Sequence, residues 1–305
     1  MSSDPAHAEP ATSPFSRFEL PTWALASVIY GGWALLTALH TFVPTLLLFV
    51  GGSILTAWHG SLQHETIHGH PTRLPWVNTA VGFAPLSLWL PYAVYRRSHV
   101  AHHVTPHITD PFDDPESQYL EQGRGLRFRL AQLEATLLGR LIVGPPIRIG
   151  HFLWSELLRV QQEPLSVARE WLPHLIGVAA VLWWLHHAGM PVVRYFLCFV
   201  YPGTALPLLR SFAEHRANAD PDRRAAIVAQ PGMLGLLYLN NNLHAVHHAR
   251  PGLAWYRLPA YYRRHRAQFA TGPHYETYGS IVRRHLLRPH DAIVHPLYGS
   301  QRENA

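Results

Sequence analysis

Two stretches of this chain repeat one pattern. His99-Val100-Ala101-His102-His103 and His244-Ala245-Val246-His247-His248 both read H-x-x-H-H. On a helix, positions i, i+3 and i+4 share one face, so each box is expected to aim three imidazoles at one point. Chance is a poor source of such boxes. With 23 His in 305 residues, a random chain would hold roughly 0.13 of them, the false-positive risk of a motif this short. A further pair, His64 and His68, has i, i+4 spacing, and His215 follows Glu214 after a long apolar run. Neutral imidazole is the commonest nitrogen ligand for zinc, copper, iron and nickel. The nine, His64, His68, His99, His102, His103, His215, His244, His247 and His248, are too many for one ion with four to six ligands. The set points to two ions. An all-imidazole shell leaves positions for oxygen and suits iron better than magnesium or calcium.

Several neighbours bear on that set. His70 is either a tenth ligand or a solvated cap. Asp110, Asp113 and Asp114 lie in an acidic turn after the first H-x-x-H-H box. They could accept hydrogen bonds from the far ring nitrogens and fix the tautomers, or simply form an Asp-Pro turn. Glu214 could do the same beside His215. His7, His40, His151, His174, His265, His274, His285, His290 and His295 have no partner at ligand spacing and read as surface or core residues. Two other chemistries compete. His64-Glu65-Thr66-Ile67-His68 is also H-E-x-x-H, the zinc-protease pattern with Glu65 as general base. It needs a third ligand and leaves both H-x-x-H-H boxes idle. A metal transporter would carry polar groups within its spans, and here the apolar runs are nearly bare of them.

The elements that must position these histidines are membrane helices. The chain is 48% hydrophobic and 14% charged, against a usual charged share of about 25%. It has no Lys, and its single Cys198 excludes an intrachain disulfide framework and a cysteine cluster. Residues 1–19 read as a disordered cytosolic tail. Leu20 to Gln63 holds no Asp, Glu, Arg or Lys, enough for two spans of ~20 residues, about 22–42 and 44–63, turning at Thr41–Pro44. Leu74–Val94 is uncharged but interrupted by Pro75, Pro85 and Pro91. A crossing here would put box one and box two on opposite sides, so an interfacial or re-entrant segment is expected, with a further span as the alternative. Leu126–Val160 mixes apolar residues with Arg and reads as amphipathic helix on the membrane, broken at Pro145-Pro146. Two more spans follow, about 171–189 and 190–210, turning at His186–Gly189.

The fold class expected is therefore all-α integral membrane. Four transmembrane helices carry interfacial helices and a cytosolic helical cap, 96–165 and 211–305, and residues 20–305 form one domain. Both ends fall on one side. With them go all of the Arg residues except Arg194, and the positive-inside rule makes that side the cytoplasm.

The set His64-x-x-x-His68, His99-x-x-His102-His103 and His244-x-x-His247-His248 resembles the three histidine boxes of the membrane fatty-acid desaturase and hydroxylase family. The resemblance runs from about Trp23 to Pro259. Asn240-Asn241-Asn242-Leu243 and Arg250-Pro251-Gly252 are similar to bacterial members, which implies a bacterial inner membrane with the site on its cytoplasmic side. The family implies two non-haem iron ions, dioxygen as co-substrate and attack on an unactivated C–H bond of a lipid. It also implies His215 as a ligand outside the boxes. A few members carry an Asn four residues before that His to hold a water; Ser211 stands there. Two features pull apart. The Asn242-Leu243-His244 context and Arg250-Pro251-Gly252 resemble acyl desaturases, whereas three residues between His64 and His68 resemble hydroxylases and ketolases. Electrons must come from outside, and the Arg-rich face suits an acidic donor such as ferredoxin with its reductase. No nucleic-acid partner is expected.

Overall fold

The computed structural model describes residues 18–299; the expected tail, up to residue 17, lies outside them, as does His7. Among the described residues four helices are long and apolar enough to cross a membrane. They are α1 (Leu20–Ala38), α2 (Thr45–Ile67), α8 (Pro164–His187) and α9 (Val192–Glu214). The first and second spans turn at Leu39–Pro44, and the third and fourth at Ala188–Pro191. The fold is all-α apart from one parallel ribbon, β1 (Ile227–Val228) with β2 (His274–Tyr275), pairing Ile227 with His274 and Val228 with Tyr275.

α2 is the central element, packed against α1 on one side and α9 on the other. Small residues permit the approach, as is usual between helices in lipid. A Cβ on Gly52 would lie 2.5 Å from Cys198 O, and one on Gly203 2.4 Å from Thr56 Cβ. α9 contains a π turn at Phe196–Val200. Pro202, just beyond it, has no N–H to offer the carbonyl four residues back, and that carbonyl is Cys198 O, the atom facing Gly52. Several polar groups within the spans pair with one another, as the absence of water there favours. Trp33 Nε1 donates to Tyr195 Oη at 3.0 Å, Tyr195 Oη to Leu86 O at 2.6 Å, and Trp184 Nε1 to Thr37 Oγ1 at 2.8 Å.

Leu74–Val94 does not form one continuous helix. It holds α3 (Pro75–Gly82), an irregular stretch to Pro91, and the start of α4 (Tyr92–Val104), which carries box two. Gln63 Nε2 donates to Gly82 O at 2.9 Å and ties α3 back to α2. Helices α5 (Gly125–Leu133), α6 (Leu137–Ile142) and α7 (Gly144–Gln162) follow. Pro145-Pro146 begins α7 instead of breaking it; the first turn is where a missing N–H costs nothing. α8 starts at Pro164, not near Trp171. Its first turns carry charge: Glu170 pairs with Arg97 at 3.0 Å and with Arg159, and Trp171 Nε1 donates to Glu156 at 2.7 Å. The rest of the cap comprises α10 (Met233–Leu237), α11 (His244–Ala249) with box three, α12 (Leu258–His265), α13 (Tyr278–His285) and α14 (Pro296–Gly299).

Candidate metal centre

The nine histidines arrive from four places. His64 lies in the last turn of α2 and His68 caps it. Box two is on α4, His215 caps α9, and box three forms the six-residue α11. Their ring nitrogens gather in two groups, His64, His68, His99, His103 and His247 in one, His102, His215, His244 and His248 in the other. Within each group the nitrogens lie within 4.8 Å of one another, and none of the nine residues is exposed. His70 belongs to neither group; its Nδ1 is 2.6 Å from Glu19 Oε1.

The boxes do not each aim at one point. Boxes two and three each divide their histidines between the two groups. Box two gives His99 and His103 to the larger group and His102 to the smaller; box three gives His244 and His248 to the smaller and His247 to the larger. Helical pitch explains the split. At 3.6 residues per turn, i and i+4 differ by about 40° around the axis, whereas i+3 and i+4 differ by about 100°. The i, i+4 pair can meet one ion while the middle histidine turns towards the other.

The ring nitrogens themselves show that cations fit. His99 Nδ1 lies 3.1 Å from Glu116 Oε1, His102 Nδ1 2.7 Å from Asp114 Oδ1 and His244 Nδ1 3.0 Å from Asn241 Oδ1. Each acceptor fixes the proton on Nδ1 and leaves Nε2 as a bare lone pair. Each of these three Nε2 atoms faces the Nε2 of another imidazole. His68 Nε2 is 2.9 Å from His99 Nε2, and His103 Nε2 is 3.0 Å from His247 Nε2. In the smaller group, His244 Nε2 is 2.9 Å from His215 Nε2, and His102 Nε2 is 3.2 Å from His248 Nε2. Without a cation one ring of each pair must turn an N–H towards the other, whereas a cation between them would take a lone pair from both. His64 Nε2 is buried with no hydrogen-bond partner, at a cost of about 1–3 kcal/mol that a bound ion removes.

Electrostatics favour the same state. Burial, reinforced by neighbouring imidazoles, pushes His68 down to about 2 and His103 to about 3, and burial beside His102 pushes His215 to about 3. These rings are neutral at neutral pH, the form that binds metal. His102 is the exception. Burial pulls its pKa down, but the Asp114 hydrogen bond and the Glu116 charge raise it above its ordinary value, marking a more basic and better-oriented donor. Burial works against ionisation of Glu116, yet the His99 imidazole holds it down at about 2.

Of the four acidic residues expected behind the boxes, Asp114 reaches a box-two ring. It also accepts the Thr109 and Glu116 backbone N–H groups, both at 2.8 Å. Asp110 instead caps Phe112 N at 2.9 Å and accepts from Tyr298 Oη at 2.7 Å; Asp113 pairs with His107 at 2.8 Å on the surface. Glu214 Oε1 lies 2.8 Å from Arg210 Nε, 3.1 Å from Asn241 Nδ2 and 3.4 Å from His244 Nδ1, so it acts on His244 and not on its neighbour His215. Glu116 and Asn241 were not foreseen as partners. Glu116 sits two residues after Asp114 in the same turn, and Asn241 stands three before His244, the spacing of one helical turn; those offsets are the signal. Glu65, the general base of the protease pattern, accepts Trp255 N at 3.2 Å instead.

Residues 38–279 match the family model described as Fatty acid desaturase. No curated protein matches the chain. The match covers the first two boxes, His215 and box three, together with the second, third and fourth spans, so the chain belongs to the fatty acid desaturase family.

Proposed function

We propose that this protein is a dioxygen-dependent di-iron oxidase of acyl lipids, and that its reaction is desaturation. The observation that carries the reading is the pair of imidazole groups, five and four, at the ends of α2 and α9. His64, His68, His99, His103 and His247 would hold one iron, and His102, His215, His244 and His248 the other. On six-coordinate ions each group leaves room for oxygen ligands. When bound, the irons supply the activation of dioxygen and the oxidation of the C–H bond. The chain's own residues position the donors. Asp114, Glu116 and Asn241 keep the Nδ1 protons outward, and Glu214 braces Asn241 and His244.

The balanced reaction converts a CH2–CH2 unit, dioxygen, two electrons and two protons into CH=CH and two waters. The electrons come from an external donor. The exposed Arg263, Arg264, Arg283 and Arg284 at the ends of α12 and α13 suit an acidic ferredoxin-like protein. The Arg distribution supports a cytoplasmic cap, and the likeness of Asn240–Leu243 and Arg250–Gly252 to bacterial members supports a bacterial inner membrane. That same likeness favours desaturation. The short His64–His68 spacing favours hydroxylation as the second reading. Turnover under isotopically heavy dioxygen with a reconstituted donor separates them. Desaturation sends both heavy atoms to water and leaves the lipid two hydrogens lighter; heavy oxygen in the main lipid product overturns desaturation in favour of hydroxylation.

A further inference from the structure

Residues 291–298 run across the acidic turn that carries Asp114 and Glu116, and are tied to it at both ends. At the far end, Leu120 N donates to Ile293 O and His295 N to Leu120 O, both at 2.9 Å. Tyr119 Oη donates to Asp291 Oδ2, also at 2.9 Å. At the near end the contacts come from side chains. Tyr298 Oη donates to Asp110 Oδ2 at 2.7 Å, and His295 Nε2 lies 3.1 Å from Thr109 Oγ1. The His295 tautomer is set within its own segment. Leu297 N donates to His295 Nδ1 at 3.3 Å, so the ring proton sits on Nε2 and His295 is the donor to Thr109. Both residues are buried, at 0% and 2% exposure.

Thr109 is the residue on which Asp114 turns. Its φ of 74° is one that a β-branched residue rarely adopts and keeps only where its surroundings fix it. Here each of its polar groups is engaged. Its N–H donates to Asp114 Oδ2 at 2.8 Å, its carbonyl accepts from Ser117 Oγ at 2.7 Å, and its hydroxyl takes the His295 contact. Asp110, next in the chain, accepts the Asp114 N–H on its carbonyl at 3.1 Å while Tyr298 holds its side chain. Asp114 in turn meets His102 Nδ1 at 2.7 Å. Packing alone does not keep the turn there. A cavity of about 60 Å³ lies against it, lined by Thr109, Asp114, Glu116 and Ser117 together with Asp291 and Ile293. That is room enough for ordered water, and so for the turn to shift.

We propose that His295 and Tyr298 are positioning residues of the metal centre: through Thr109 and Asp110 they hold Asp114 against His102. They stand 186 and 188 residues from those partners in the chain, and neither belongs to the imidazole groups. The proposal rests on the metal-centre part of the oxidase reading. It gives a task to a buried histidine with no partner at ligand spacing. An imidazole whose Nδ1–H is held by a carboxylate is a more basic and better-oriented donor, and His102 is one of only four in its group. Loosening the turn at Thr109 and Asp110 therefore weakens the four-imidazole group first.

The test is stepwise iron(II) binding to the whole chain, stripped of metal, in nanodiscs without oxygen or substrate, in competition with a chromophoric chelator. Tyr298→Phe and His295→Leu should each lower the affinity for one of the two irons on the order of tenfold, the lower end for loss of support behind a ligand, and leave the other nearly unchanged. His295→Gln keeps an N–H for Thr109 and should restore most of the affinity. Positioning through Asp114 has a signature that general unfolding lacks: in an Asp114→Ala background neither variant should weaken binding further. Full affinity in both single variants, or losses that add undiminished to that of Asp114→Ala, overturns the proposal. So does a fall in both affinities that His295→Gln fails to rescue. Two tightly bound irons in the unaltered protein, with variants that bind equally well, leave the oxidase reading standing without this proposal. No iron bound by the unaltered protein sinks that reading and the proposal with it.

Discussion

His103 and His248 stack with ring centroids 4.4 Å apart and planes 24° from parallel, although they serve different imidazole groups. His103 comes from α4 and His248 from α11, so the stack joins two helices far apart in sequence at the line between the groups. Whatever spacing two bound ions adopt is set by this contact and by the pitch of two helices, not by a loop.

Metal content follows first. The purified protein should carry about two irons per chain and no stoichiometric zinc. His102→Ala and His247→Ala strike different groups, and each should lower iron content and abolish turnover. Metal analysis with an activity assay decides; full activity in either variant would sink the di-iron assignment. His186→Ala, at the far end of α8, should behave as the unaltered protein.

The supporting acids should rank by contact. Asp114→Ala and Glu116→Ala remove the acceptors of His102 and His99 and should weaken iron binding about 10–100-fold. Asp113→Asn alters only the surface pair with His107 and should leave affinity unchanged. Chelator-competition titrations give the three affinities, and equal values for all three would contradict this ranking.

Topology is open to direct measurement. Reporter fusions after Pro71, Glu121 and Asp222 should all register the cytoplasm, and one at Gly189 the opposite side. Disagreement between Pro71 and Glu121 would mean that the segment through α3 crosses, which would separate box one from box two.

The α2–α9 contact supplies a stability test. Gly203→Ala places a Cβ 2.4 Å from Thr56 Cβ, and overpacking of this kind costs about 1–3 kcal/mol. Gly31→Ala meets nothing within 4 Å. Thermal unfolding in detergent should show a lower midpoint for the first variant and no loss for the second.

The spans and the nine histidines were legible in the sequence because each rests on a local signal, an uncharged run or a short spacing. Two things were not. The acidic turn after box two offered Asp110, Asp113 and Asp114 on equal terms. Which of them faces a ring depends on how the turn folds back, and Thr109, at φ 74°, sends Asp114 under His102. The partition of the boxes was equally hidden. A shared helical face was read as a shared target, but a face about 100° wide can look at two targets when their centres are close. The helical turns before the expected third span were hidden for another reason: Arg169 and Glu170 argue against a span by composition, yet α8 begins at Pro164 and Glu170 is paired with Arg97 and Arg159.

The unequal roles of the boxes bear on how such a sequence can drift. Boxes two and three are hinge-pins shared by both halves of the centre. One residue inserted between His99 and His102 would turn the later histidines by about 100° and deal them to the wrong halves at once. Box one has no such double duty, because His64 and His68 both serve the larger group. Its spacing needs only to bring two nitrogens to one place. Among the three boxes it is the one where an extra residue can be absorbed, because His68 already stands at the C-cap of α2, so variation in the histidine pattern should collect there first.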